Sequence, residues 1–503
     1  MKYYIVWHVV YHWFSLSNFV SYSVSLKTFK NYKILVMKRI LLIIVFCVSF
    51  LTLEAQTITW TGAGDGTNWS DFNNWDLSIL PTDSHNVIIP DGSTVTIDEE
   101  AYGNSIEVQG ASTLTINSTL QIYGNSLFSE KTLVNWRYGG LGKPLESSQG
   151  NGILTNYGTI NIDRPEPSFN TPLIFNITFN NEGTINFING SLIVGTGSVL
   201  NNQSEGVIDF GEVSFALGND YGWALCCGFI INWGTIQKIN GDDVTSNEVG
   251  VYNYGVIEAI SGTIKFYGNY YSHFNNSPEG IINGIGAIDF SELTNYSNAG
   301  TFSPGASPGV LTFIGDFNSS SSSKLAVELN GLTQGVDYDL LEIQGDAILD
   351  GIVEVTMGFE GAINDEFVVA ITTGTITSCN LVPTATAEFN GKNYFFDVAC
   401  NSNKQVVLTI SNITLGLESS EFIEKNIQIF PNPANLQFKI RNNSDYLLKN
   451  ALLIDINGRV IEDINLDSAA IDNTISLLNY RPGLYFIKIC ANNNQIIKKI
   501  IKM

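Results

Sequence analysis

The chain has 503 residues, with 48 acidic against 25 basic side chains and a formal charge of −23. That balance argues against a nucleic-acid partner, because phosphate binding draws on clustered Lys and Arg, and the length exceeds one compact core, so several units or one elongated stack are expected. Abundant glycine (46), tyrosine (21) and phenylalanine (29) suit turns and half-buried strands better than helices.

Residues 1–36 match no working element. Met37-Lys-Arg39, the apolar run Ile40 to Leu53 and Glu54-Ala55-Gln56 together have the three parts of a secretory signal peptide, so translation is expected to begin at Met37 and the mature chain near Gln56. The apolar run is short for a bilayer span, and Val45-Phe46 before Cys47 lacks the small residue of a lipoprotein signal. Residues 1–55 are therefore assigned to an upstream extension plus signal peptide. Residues 56–100 follow as a module bearing Trp60, Trp69 and Trp75, which looks like the tryptophan-rich opening of many bacterial surface proteins. Three indoles this close together can cover the apolar end of a β-stack; exposed, they would instead stack on sugar rings.

From Val87 the chain alternates apolar and polar residues in short runs, as in Thr94-Val-Thr-Ile97 and Thr113-Leu-Thr-Ile116. One phrase then recurs: Asn156-Tyr-Gly-Thr-Ile160, Asn181-Glu-Gly-Thr-Ile185, Ser204-Glu-Gly-Val-Ile208, Asn232-Trp-Gly-Thr-Ile236, Asn253-Tyr-Gly-Val-Ile257, Pro278-Glu-Gly-Ile-Ile282 and Asn298-Ala-Gly-Thr-Phe302. A period near two dozen residues marks a solenoid whose coils bury their apolar sides by stacking. The terminal Ile or Phe of each phrase is expected inward, the β-branched residue before it outward on the strand, and the glycine at a corner that calls for positive φ. The asparagine is expected to bond the turn or to stack on the next coil's asparagine. Residues 101–410 are assigned to this repeat domain, and roughly twelve coils rising about 4.8 Å each are expected between residues 90 and 390.

These repeats, with Ser303-Pro-Gly-Ala-Ser-Pro-Gly309 and the strands Val310-Leu-Thr-Phe-Ile314 and Lys324-Leu-Ala-Val-Glu-Leu329 after them, resemble the right-handed β-solenoid passengers of bacterial adhesins and autotransporter-like proteins. A polar linker is expected over 411–425. Residues 426–503 carry a different signature: Phe430-Pro431-Asn432-Pro433, Asn457-Gly458-Arg459, Arg481-Pro482-Gly483-Leu-Tyr485, and a basic end containing Lys498, Lys499 and Lys502. In this order they resemble the C-terminal sorting domain of type IX secretion cargo in the Bacteroidetes. The resemblance implies a small β-sandwich, export to the cell surface, recognition by the secretion machinery and frequent attachment to surface polysaccharide. The fold expected is all-β throughout: a right-handed parallel β-solenoid followed by that sandwich.

Catalytic chemistry is thinly represented. Beyond His8 and His12 there are only His85 and His273, in separate segments, which supports neither a Ser-His-Asp triad nor a histidine metal site. Carboxylates are plentiful, and β-solenoid lyases and glycosidases use paired ones, but Asp163, Asp209 and Asp289 cannot be placed face to face from spacing. No cofactor is expected; the acidic turns Asp65-Gly66 and Asp242-Asp243 suit Ca²⁺ without supplying a full ligand loop. Cys226 and Cys227 read as packed small hydrophobes, while Cys379 and Cys400 bracket one hairpin, compatible either with a disulfide clip or with two thiols. Tyr157, Trp233 and Tyr254, each beside a corner glycine, offer a sugar-stacking stripe or wedges between coils. The function expected is a secreted, surface-displayed, adhesin-like solenoid with a binding or structural role, surface polysaccharide and extracellular glycan being the candidate partners; the alternatives are a glycan-active lyase or hydrolase, or a passive spacer.

Overall fold

The computed structural model describes residues 55–143, 152–164, 171–219, 228–268, 273–293, 296–305, 308–415, 426–443, 448–466, 471–491 and 494–503. The expected signal peptide, Cys226, Cys227 and most of the expected linker lie outside these residues. The chain divides into two compact units, Met1–Gln56 and Thr57–Met503; everything below concerns the second.

Short strands recur in threes, and each third strand pairs in parallel with its counterpart one coil later, which builds three sheets running along a parallel β-solenoid. The first coil shows the unit: His85–Ile89 on a first face, Thr94–Ile97 on a second and Ala101–Gly103 on a third. Ten such coils run to Val310–Ile314. Two more follow, the last opened by the long strand Ala347–Met357, which pairs with Phe317–Asn318 at one end and with Lys324–Leu329 at the other. The stack starts at His85, ahead of the expected 101, because Thr94–Ile97 pairs in register with Thr113–Ile116.

The recurring phrase occupies the corner between first and second faces. Ile160, Ile185, Ile208, Ile236, Ile257, Ile282 and Phe302 superpose in register and are buried, forming the expected inward column. Burying each such side chain contributes about 1.5–3 kcal/mol. The glycine expectation needs correction. None of the seven corner glycines has positive φ; instead, a Cβ at Gly183 would lie 2.1 Å from the Gly158 carbonyl oxygen, and one at Gly255 would lie 2.2 Å from that of Gly234. Glycine is needed there because coil packs on coil without room for a methyl group.

The asparagines form a buried ladder. Each side-chain amide donates to the next one's carbonyl oxygen: Asn156 to Asn181 at 2.9 Å, Asn181 to Asn202 at 2.8 Å, Asn202 to Asn232 at 2.8 Å, Asn232 to Asn253 at 2.7 Å, Asn253 to Asn276 at 2.8 Å and Asn276 to Asn298 at 2.9 Å. The ladder uses Asn202 and Asn276, not Ser204 and Pro278, because those two corners are two residues longer. Such a chain satisfies polar groups that would otherwise be costly to bury.

Both ends of the stack are covered. Trp60, Trp69 and Trp75 are buried, with Trp75 edge-on to Trp60 at 5.1 Å and to Trp69 at 4.8 Å, and Trp75 Nε1 donating to the Trp69 carbonyl at 2.9 Å. Their rings close the first coil and leave no face for a sugar, so stacking by these three is set aside. At the other end, Glu366–Thr372 begins an antiparallel run through Gln405–Leu415, Lys392–Cys400 and Thr384–Phe389. Residues 411–415 thus belong to a strand rather than to a linker, since Ile413 continues the alternation and pairs with Tyr394. Cys379 and Cys400 are joined by a disulfide.

Residues 426–503 hold a second hydrophobic core between a three-stranded and a four-stranded antiparallel sheet. Among the described residues, no helix is long and apolar enough to cross a membrane.

Candidate functional site

An aromatic cluster on the solvent side of the regular coils sits on the seventh coil, which opens with Phe229–Asn232, and the eighth, which opens with Gly250–Asn253. Period-two alternation turns Ile230, Asn232, Val251 and Asn253 inward and leaves Phe229, Ile231 and Tyr252 on the outer surface. Ile231 pairs with Tyr252 across the two coils, and the Phe229 and Tyr252 rings meet edge-on at 5.9 Å. At the adjoining corner, Trp233 is 49% exposed and stacks on Tyr254, centroids 4.2 Å apart and planes 13° from parallel. Directly beneath, the Asn232 to Asn253 bond fixes the two coils at the point where they carry these rings. A platform held from inside does not reorganise when it is covered, which is what an aromatic contact surface requires.

Of the expected stripe, then, Trp233 and Tyr254 come together. Tyr157, 44% exposed, stands three coils away at the same corner, with Glu182 on the coil after it. Phe229, Ile231 and Tyr252 were missed because they lie outside the asparagine-glycine phrase; the alternation of Phe229-Ile-Ile-Asn232 was the signal for them.

The carboxylates are dispersed. Asp209 and Glu258 share an outward column of the second face with Gln237 between them, whereas Asp289 lies on the third face, paired with Lys265 at 3.3 Å. Lys238 is fully buried, its ammonium donating to the Gly211 and Asn240 carbonyls at 2.9 and 3.0 Å. Burial lowers its pKa, opposed by the charges of Asp243, Glu212, Asp209 and Asp242. Asp65, one of the turns suited to Ca²⁺, has its carboxylate occupied by the backbone N–H groups of Thr67 and Asn68 and by the Asn74 amide, which hold its pKa down.

In the C-terminal sandwich the motif residues have defined places. Pro431 and Pro433 follow cis peptide bonds, and between them Asn432 clasps the last strand, donating to the Lys499 carbonyl at 2.7 Å and accepting from Ile501 N–H at 2.9 Å. Asn457 and Gly458, the latter at φ 81°, turn the hairpin between Leu448–Asp455 and Val460–Asn465. The Asp455 carboxylate accepts from the Asn457 and Arg459 N–H groups at 2.9 Å. Pro482 precedes Gly483, which opens the strand Gly483–Ala491, and the Tyr485 hydroxyl donates back to the Arg481 carbonyl at 2.8 Å. Lys498 and Lys499 sit on the final strand and line a groove of about 590 Å³ with Arg441 and Phe430. Asp472 grips Arg441 through two hydrogen bonds of 2.8 and 2.9 Å.

The described chain thus combines a parallel β-solenoid with a small antiparallel sandwich. Residues 428–503 match the family described as the secretion system C-terminal sorting domain. The chain is accordingly a type IX secretion cargo with a β-solenoid passenger, destined for the cell surface or the medium and handled by that machinery. No curated protein matches the chain.

Proposed function

We propose that the protein is an adhesin-like binding protein of the cell surface, and that its contact surface is the aromatic patch of the seventh and eighth coils, with an extracellular glycan as ligand. The observation that carries this reading is the stack of exposed Trp233 on half-buried Tyr254, continued by the half-buried Phe229, Ile231 and Tyr252. Aromatic surface left in water on a secreted chain is characteristic of an interaction site, and ring faces pack well on the C–H faces of sugars. The sorting tail supports delivery to where such ligands are met.

A glycan array probed with the mature chain tests the reading. Retention of a defined set of glycans that disappears in Trp233→Ala is the expected result. Release of shortened products would favour a lyase or hydrolase, and absence of retention across the array would favour a spacer.

A further inference from the structure

We propose that the ligand of this patch is a polymer of amino sugars bearing free ammonium groups. The inference rests on the glycan reading above and narrows it to a cationic class. Trp233 and Tyr254 lie nearly parallel, so each ring spends one face on the other, with Trp233 exposed and Tyr254 half-buried. Along the stack, the sixth coil adjoins the Trp233 corner and the ninth adjoins the Tyr254 corner. Both of these coils have a long corner, 202–206 and 276–280, and each lifts one glutamate into solvent, Glu205 and Glu279. The corners are anchored against the ring-bearing ones: Trp233 N–H donates to the Asn202 carbonyl at 2.7 Å, and Ser277 N–H donates to the Asn253 carbonyl at 2.9 Å. Each glutamate therefore stands about one rung, ~4.8 Å, beyond a ring-bearing corner.

A ring face beside a carboxylate attracts a cation twice, through the ring quadrupole and through the opposite charge. Glu182, Asp209 and Glu258 add negative charge on the corners and second face of the same stretch. Between residues 177 and 292 the sequence has only two Lys or Arg residues, Lys238 and Lys265. The first is buried on backbone carbonyls and the second is paired with Asp289 on the third face. A uronic or sulfated polymer would meet repulsion with no cation to offset it, and an uncharged sugar would gain the stacking alone. An amino sugar presents its C–H face to the ring and its ammonium to the glutamate.

Chitosan oligomers, N-acetylated chitin oligomers of the same length and polygalacturonate are the probes, titrated calorimetrically against the full mature chain at low and high salt. We expect chitosan to bind tightest and to weaken with salt, chitin to bind less tightly without salt dependence, and polygalacturonate not to bind. Glu205→Gln and Glu279→Gln should each weaken chitosan about two- to fivefold and leave chitin unchanged; both are solvent-facing, and unchanged thermal unfolding verifies that the variants fold. Chitin binding as tightly as chitosan, or chitosan binding unaffected by the double variant, overturns the cationic assignment and leaves the glycan reading standing. Failure of chitosan, chitin and every glycan on the array overturns both.

Discussion

Asn253 sits mid-ladder, donating to Asn276 at 2.8 Å and accepting from Asn232 at 2.7 Å, whereas Asn298 ends the ladder with its amide nitrogen unpartnered. Asn253→Ala should therefore strand a buried donor on one neighbour and a buried acceptor on the other, and lower stability by about 2–5 kcal/mol. Asn298→Ala breaks one inter-coil bond and should cost less; urea unfolding of the two variants measures the difference. Asp339 tests a different balance. It is buried where its carboxylate accepts from Gly309 N–H at 2.8 Å and Glu328 N–H at 2.7 Å, and burial dominates, raising its pKa to about 6. Because the folded value exceeds the unfolded one, the folded state binds the extra proton. The contribution to stability is fully present below about pH 4 and is lost as pH rises through about 6. Stability measured across that window should fall for the native chain relative to Asp339→Asn; a flat difference would count against the raised value.

At the scale of elements, the disulfide between Cys379 and Cys400 ties strand Ile376–Leu381 to the hairpin strand Lys392–Cys400 of the terminal cover. Replacing both cysteines by serine should lower stability by about 2–4 kcal/mol and raise hydrogen exchange first in residues 384–400. What the sequence could say about these elements follows from how local each determinant is. The inward isoleucines and the period were legible because each repeat writes them with the same residues at the same offset. The long corners were not, since a phrase aligned on its glycine puts Ser204 and Pro278 where the fold uses Asn202 and Asn276. The aromatic patch was half legible: Trp233 and Tyr254 stand in the phrase, while Phe229 and Tyr252 become neighbours only through pairing between coils. For Trp60, Trp69 and Trp75, the sequence favoured an end cover and left a sugar platform as the rival, and their mutual burial decides. The reason for the corner glycines was hidden as well, because proximity of the preceding coil is a tertiary property.

For the molecule as a whole, passenger and address are separable by core: the coils share one hydrophobic cluster and the C-terminal sandwich has its own. Deleting residues 428–503 should leave the solenoid folded and stop its passage to the surface. Fractionation of expressing cells, with protease accessibility as the readout, checks this; surface display of the truncated chain would remove the sandwich from the export route. The long corners carry a further meaning. The Asn181 amide reaches the Gly183 carbonyl across one intervening residue, and the Asn202 amide reaches that of Gly206 across three, both at 3.1 Å. The corner is thus a tolerant joint, at which residues can be added or exchanged while the interior stays in step. New contact chemistry can arise there without renegotiating the core, so a lineage of such chains could change its target faster than its skeleton.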